Sequence, residues 1–459
     1  MPKKIHLNAF EMNGVGHIAH GLWRHPGNQR HRYTDIRYWT ELAQLLEAGK
    51  FDALFLADVV GVYDVYKQSE ETAVREAVQI PCNDPLLVVP PMAQATRHLG
   101  FAVTFSTTYE KPFAHARRMS TLDHLTKGRI AWNVVTSYLP SAARNFGLDR
   151  MIRHDERYEI AQEYLDVSYK LWEGSWEDGA VVRDAARGVY VDPDKVHLIR
   201  HEGRYFKVPG PHLSEPSAQR TPVIYQAGTS ERGRAFAAKH AEAVFLGGGT
   251  VESLRQYARD IRRQAAAYGR DPNHLKLMAG LTAIVGRTRE EAERKLDRYR
   301  QLYSLEGVLA HYGGSSGYDL SAYDPEEVFA YRQTDHGQTA AAQFTKQSPA
   351  PKKVREVVET LGTLGARGLF AVGTPEEVAD KLQYWIEETG IDGFNVTQLV
   401  SPDTLRDFVE LVVPELQRRG LFREAYEEDT LRERLFGRGV RRLPSDHPGA
   451  AYRRQPTLT

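Results

Sequence analysis

Short apolar runs alternate with longer amphipathic stretches along almost the whole chain. The runs at 5–10, 53–58, 100–106, 130–136, 223–227, 243–247, 277–285 and 393–398 have the length and composition of strands. Residues 36–49, 85–98, 112–127, 154–173, 230–241, 251–268, 288–303 and 402–419 carry helical patterns. In 154–173, Tyr158, Ala161, Leu165, Tyr169 and Trp172 recur at three- and four-residue spacing, which gathers them on one helix face. Strand followed by helix, repeated eight times, predicts an α/β fold: a parallel (β/α)8 TIM barrel with insertions rather than an open doubly wound sheet. The first strand–helix turn also lacks GxGxxG, which argues against a dinucleotide-binding Rossmann domain.

Two stretches break the rhythm. Residues 174–221, rich in Gly, Pro and charge, read as a surface excursion before the fifth strand, and 304–372 as a longer one before the last unit. Loops that follow barrel strands build the active-site face, so the late insertion is a candidate lid. Within it, 338–353 reads equally well as a flexible linker. The expected organisation is one barrel domain over 1–436, with 437–459 as a Pro- and Arg-rich extension at a subunit interface.

Composition narrows the class. Of 459 residues, 41% are hydrophobic and 26% charged, and 60 basic residues balance 60 acidic ones. That balance gives no reason to expect nucleic acid or an anionic membrane as partner. The single cysteine, Cys82, excludes an internal disulfide framework. The opening MPKKIHLNAF has no apolar core or cleavage pattern, and no apolar run approaches membrane-spanning length, so a cytoplasmic enzyme is expected.

The richest local signal is PVIYQAGTSERGRAFAAKHAEAVFLGGGT at 222–250: strand, Gly228-Thr229-Ser230 turn, alanine-rich helix, then a strand ending in Gly247-Gly248-Gly249. A glycine turn with Thr-Ser at a helix start exposes unpaired backbone N–H groups under the positive end of the helix dipole, which suits a phosphate without any lysine. Many strand–helix turns share this chemistry and bind nothing, so the turn alone leaves both readings open.

Other polar residues fall at strand ends, where barrel chemistry belongs. Asp58 closes ALFLAD, Thr104 and Ser106 end AVTFS, Asn133 and Thr136 lie in IAWNVVTS, and His154 and Tyr158 share a helix face one turn apart. Beside Gly228–Ser230, that His and Tyr would complete a phosphate clamp. The loop NGVGHIAHGLWRHPGNQRHRY holds His17, His20, His25 and His31, but no HExxH, cysteine or carboxylate accompanies them, so no metal is expected. One of these histidines, with Phe10 and Trp23, is expected to line a pocket above the first strand. There is no GxSxG for nucleophilic catalysis, and Asp58 is the only clear strand-end carboxylate, which leaves a glycosidase without its pair.

Six blocks in order then carry a resemblance: HGLWRHPGNQRHRY, FLADVVGVYDVY, LDHLTKGRIAWNVVTS, HDERYEIAQEYL, YQAGTSERGRAFAAKHAE and LAHYGGSSGYDLS. Together they resemble the two-component flavin-dependent monooxygenases of the bacterial luciferase-like superfamily, in the branch that acts on nitrilotriacetate and dibenzothiophene sulfone. Within that branch the alkane-oxidising members are most similar. The resemblance implies a homodimer or homotetramer that takes reduced FMN (FMNH2) from a separate NAD(P)H:FMN reductase and activates O2 as a C4a-hydroperoxyflavin. It implies flavin contacts at Asp58, Thr104, Asn133, His154, Tyr158 and Ser230, with Gly228 and Thr229 supplying backbone at the phosphate. His17 or His311 would manage the peroxide proton, with Tyr63, Gln79 and Tyr138 orienting it, and Phe10 and Gly14 would border the substrate.

Two positions depart from the alkane-oxidising members, which have a cysteine where Gly14 stands and a histidine where Tyr138 stands. The expected reaction is hydroxylation of an apolar substrate, the terminal carbon of a long-chain alkane. The alternatives are oxidation of a sulfone or of an aminopolycarboxylate, for which Arg24, Arg30 and Arg32 near His17 offer charge. From outside this chemistry, an F420-dependent reductase or a non-catalytic flavin-binding protein would share the fold.

Overall fold

A computed structural model describes residues 3–247, 249–348, 350–366 and 368–454. Eight parallel strands close into a barrel: β1 (His6–Met12), β2 (Ala53–Ala57), β3 (Gly100–Ser106), β4 (Ile130–Val135), β5 (Val223–Ala227), β6 (Ala243–Leu246), β7 (Lys276–Val285) and β8 (Gly393–Thr397). Each pairs with its sequence neighbours, and β8 closes the ring on β1 in the register His6 to Gly393 through Phe10 to Thr397. Strand alternation divides the side chains. Along β7, Leu277, Ala279 and Leu281 pack outward against the helices, while Gly280 and Thr282 face a cavity inside.

All eight strands lie where the hydrophobic pattern puts them, but the sequence reading missed a ninth. Leu369–Gly373 pairs with the second half of β7, from Leu281 to Val285, while the first half of β7 pairs with β8. β7 is ten residues long, about twice its neighbours, and so offers two successive partners. The excursion expected at 304–372 therefore ends in a strand, and it contains the helices Leu305–Ser316 and Val354–Leu361. The helix Pro375–Thr389, which follows that strand, was also missed, although Thr374 and Glu377 form a full capping box at its start. The helix expected at 85–98 is shorter, a 3-10 turn at Pro85–Val88 and then Val89–Gln94, because Pro90 and Pro91 fit only a first turn. The earlier insertion, 174–221, folds into two small hairpins, Val181–Asp184 with Val189–Val191 and His201–Glu202 with Lys207–Val208.

The barrel mouth opposite the strand C-termini is plugged. Ala53, Ala102, Ala131, Val223 and Ala243 point inward there, and their small volume admits Leu431 and Leu435 of the helix Leu431–Phe436. Arg432 in that helix is wholly buried and bonds Glu242 through Nε to Oε1 at 2.7 Å and Nη2 to Oε2 at 2.9 Å. A bidentate pair of this kind fixes the plug's orientation. The described part of the extension beyond Phe436 packs on the chain's own barrel: His447 bonds the carbonyl of His240, and Arg453 pairs with Glu173. No described helix is long and apolar enough to cross a membrane.

Candidate functional site

With one end plugged by Leu431 and Leu435, the candidate site lies at the C-terminal ends of the strands. A cavity of about 330 Å3 lies there. Its walls bring together Phe10, His17, Asp58, Gln79, Thr104, Asn133, Tyr138, His154, Tyr158, Gly228, Thr229, Ser230 and His311. Tyr63 lies just behind the wall, fully buried. Gly14 stands apart: it bridges to Cys82, and a Cβ there would sit 2.6 Å from the Pro81 carbonyl oxygen and 3.2 Å from Cys82 Cβ. The room that glycine leaves is thus occupied by the 81–82 backbone. The chain's single thiol faces a neighbouring cavity of about 230 Å3 that also touches Asp58.

One end of the main cavity is an anion seat. Ser230 caps the helix Glu231–His240, its Oγ accepting from Gly233 N at 3.1 Å. Arg234 ties the turn from the other side, bonding the Thr229 carbonyl at 2.6 Å. The Tyr158 hydroxyl interacts with Ser230 and Thr136. Burial raises the Tyr158 pKa while those bonds and Arg157 pull it back, so the phenol remains a neutral donor. Gly228 keeps the cradle open: a Cβ there would lie 2.6 Å from Gln226 Nε2 and 3.2 Å from the Tyr158 oxygen. Gly248, the middle of the glycine triplet after β6, lies outside the described residues.

Two further contributors were missed by the sequence reading. Arg157 is buried in the same wall; its Nη2 bonds the Asp335 carbonyl at 2.7 Å, and its Nε has no partner. Residues 336–339 of the late insertion also line the cavity, held by His154 N to Asp335 Oδ1 at 3.0 Å and Thr229 Oγ1 to Thr339 Oγ1 at 3.2 Å. Arg157 was legible as the neighbour of Tyr158 in HDERYE. Residues 336–339 belong to the insertion expected as a candidate lid, but no local pattern singled them out, because only the path of the insertion brings them there.

The middle of the cavity is polar and partly unsatisfied. Asn133 Nδ2 donates to Thr104 Oγ1 at 2.9 Å across the β3–β4 ladder, leaving Asn133 Oδ1 buried without a donor. Asp58 shares this wall. Burial, then the nearby Asp84 carboxylate, pushes its pKa up to about 8 against a Val59 N–H bond that lowers it. At neutral pH it is therefore a carboxylic acid, not a carboxylate.

The floor is aromatic. Phe10, Phe55 and Phe245 meet edge-on with centroids 4.9 to 5.8 Å apart, and His17 stands edge-on to Phe10 at 4.4 Å. Phe55 and Phe245 were also missed, although both follow the inward phase of their strands. Burial, then Arg30 and His20, hold the His17 pKa well below the usual range, so its ring is neutral.

Beside the floor runs a directional hydrogen-bond chain. Gln79 Nε2 can only donate, so at 3.1 Å it makes His311 Nε2 an acceptor and leaves the His311 proton on Nδ1. Tyr63 donates to Gln79 Oε1 at 3.0 Å and therefore accepts from Tyr138 across 2.5 Å. Tyr138, Tyr63, Gln79 and His311 thus form one ordered array that fixes the tautomer of His311.

The remaining loop groups are committed elsewhere. His25 packs on Tyr299 and His31 bonds the Asn28 carbonyl. Among the described residues, no three His, Cys, Asp or Glu side chains are grouped to hold a metal ion. Arg24 bonds the carbonyls of Gly21 and Leu302, Arg30 pairs with Glu11 and the Gln398 carbonyl, and Arg32 pairs with Glu41 and Asp35. None of the three lines the cavity.

Comparison with known proteins shows the family and the fold. A family described as "Luciferase-like monooxygenase" matches residues 18–393. The chain is 63% identical over 99% of its length to the long-chain alkane monooxygenase of Geobacillus thermodenitrificans, covering 99% of that protein. A crystal structure of long-chain alkane monooxygenase superposes with a TM-score of 0.93, covering 99% of this chain and 100% of that one. The dimethyl-sulfide monooxygenase of Hyphomicrobium sulfonivorans is 50% identical over 99% of this chain and 94% of its own. A riboflavin lyase solved with modified FMN is 41% identical at a TM-score of 0.93, covering 99% of this chain and 100% of that one.

Proposed function

The chain belongs to the luciferase-like monooxygenase family and is therefore an oxidoreductase; on that premise we propose that it is the oxygenase component of a two-component system. It takes FMN reduced by a separate NAD(P)H:FMN reductase and uses O2 to hydroxylate an apolar substrate, the terminal carbon of a long-chain alkane. The observation that carries this reading is the joining, in one cavity, of an anion seat at Gly228–Ser230 to a floor of three phenylalanine rings.

The residues present fit FMN. Ser230, Tyr158, the unpartnered Nε of Arg157 and the backbone after Gly228 would hold the phosphate. Asn133 Oδ1 lacks a donor, and the isoalloxazine ring carries N–H groups of that kind. When bound, reduced FMN supplies the electron pair that activates O2. The chain's own residues exclude water with Phe10, Phe55 and Phe245 and hold protons at fixed atoms: Nδ1 of His311, the hydroxyl of Tyr138 and the carboxyl of Asp58. An alkane has no polar handle, so apolar walls must position it. Arg24, Arg30 and Arg32, which would have served an aminopolycarboxylate, are spent on Glu11, Glu41, Asp35 and carbonyl oxygens, which favours the apolar substrate over that alternative. We further propose a homodimer or homotetramer, as the resemblance implies, working in the cytoplasm.

Incubation with a flavin reductase, NADH and FMN, offering hexadecane, dibenzothiophene sulfone and nitrilotriacetate side by side, tests the substrate. Hexadecanol as the dominant product is expected. A phenolic sulfinate in its place would move the assignment to sulfones, and peroxide alone from all three would overturn it.

Asp58 adds a pH dependence with a defined sign. Below about pH 8 its carboxyl is neutral, and above that it is an anion facing an anionic ligand. FMN affinity is therefore expected to fall as pH rises through about 8 in the wild type and to stay flat in Asp58→Asn. Fluorescence titration on either side of that pH measures it; parallel pH profiles would rule the role out.

A further inference from the structure

We infer that an apolar side tunnel, opening off the main cavity beside His311, takes the tail of a linear uncharged substrate and sets the chain length accepted. This rests on the oxygenase reading above and names the substrate feature that reading leaves open. A second cavity of about 200 Å3 shares Phe10, Ile18, Phe245 and His311 with the first, so the two meet along a common wall. It runs between the inner faces of β7 and β8, bordered by Gly280, Thr282, Thr397, Leu364 and Leu399.

Three features point to a tail. Barrel interiors are ordinarily filled by bulky branched side chains, yet β7 turns Gly280 and Thr282 inward at successive interior positions. A Cβ on Gly280 would lie 3.3 Å from Phe245 Cε2, so the missing side chain is what keeps the passage beside Phe245 open. No Asp, Glu, Lys or Arg is among the described residues lining it, so nothing there would pair with a carboxylate or ammonium tail. The size is also sufficient: an apolar cavity of about 150 Å3 already admits a benzene-sized guest. His311, held by Gln79, stands at the junction, which puts the reacting end of a threaded chain in the main cavity and its tail in the tunnel.

The test uses binding, so that it stands apart from oxygenation. Affinities of a graded series of linear primary alcohols, from hexanol to octadecanol, are measured by competition with a fluorescent apolar probe on the FMN-loaded protein. In the wild type each added methylene is expected to tighten binding by about fourfold until the tunnel is filled. Gly280→Leu narrows the tunnel from the β7 side and Leu364→Trp from the loop side. Each is expected to end that rise at a shorter chain and to weaken the longest alcohols by about tenfold or more. FMN titration and thermal melting verify that each variant folds, and either variant alone suffices. Length dependence identical to wild type in a folded variant, or no dependence on length in the wild type, would overturn the tunnel. Tight, length-dependent binding without alkane oxidation would instead overturn the substrate reading and leave the tunnel standing.

Discussion

Ser230→Asp is expected to weaken FMN binding by about a hundredfold or more while leaving the fold intact. Aspartate caps a helix N-terminus as well as serine does, so the bond to Gly233 N and the helix Glu231–His240 are preserved. The new carboxylate, however, stands where the cradle of Gly228, Tyr158 and Ser230 would receive a phosphate dianion. Like charges brought together in a partly desolvated site cost several kcal/mol, and every 1.4 kcal/mol is about tenfold in affinity. Flavin fluorescence titration with melting of the apoprotein separates the two effects. Unchanged affinity in a folded variant would remove the turn from the binding site. Riboflavin, which lacks the phosphate, is expected to lose far less.

Tyr63→Phe carries the second large effect. Tyr63 is not a wall of the main cavity, so FMN affinity is expected to stay within about threefold. The lost hydroxyl nevertheless breaks the array twice, removing the acceptor of the Tyr138 proton and the donor to Gln79 Oε1. The Gln79 amide can then rotate, and His311 is no longer fixed as the Nδ1–H tautomer. Positioned proton transfer contributes about 10²–10⁴-fold to a rate, and a loss of about a hundredfold in hydroxylated product is expected. NADH consumption should continue, its electrons appearing as hydrogen peroxide. The separate reductase consumes NADH whether or not the oxygenase is folded, so the decisive reading is lost product at unchanged FMN affinity and unchanged thermal melting; a merely structural defect would lower all three.

The fold was legible because the strands are short apolar runs separated by helices with clear periodicity. What escaped was tertiary. Leu369–Gly373 pairs only because β7 is long enough to outlast β8, and its own sequence, LFAVG, follows glycine-rich chain that reads as loop. The site divides in the same way. Residues at strand ends, from Asp58 to Asn133, are placed by the barrel itself, and so could be read from strand boundaries. Residues 336–339 reach the cavity through an insertion whose path no local pattern encodes, whereas Arg157 stands beside Tyr158 on a helix start the sequence already marked. Gly14 shows the reverse: a position singled out by resemblance, which the backbone at Pro81 and Cys82 separates from the cavity.

Under an atmosphere of heavy oxygen gas, with reductase, NADH, FMN and hexadecane, mass spectrometry of the extracted products tests the central claim most directly. One heavy oxygen atom in hexadecanol, formed only when this protein is present, is the predicted result. Unlabelled alcohol, or peroxide with no oxygenated hydrocarbon, would contradict it.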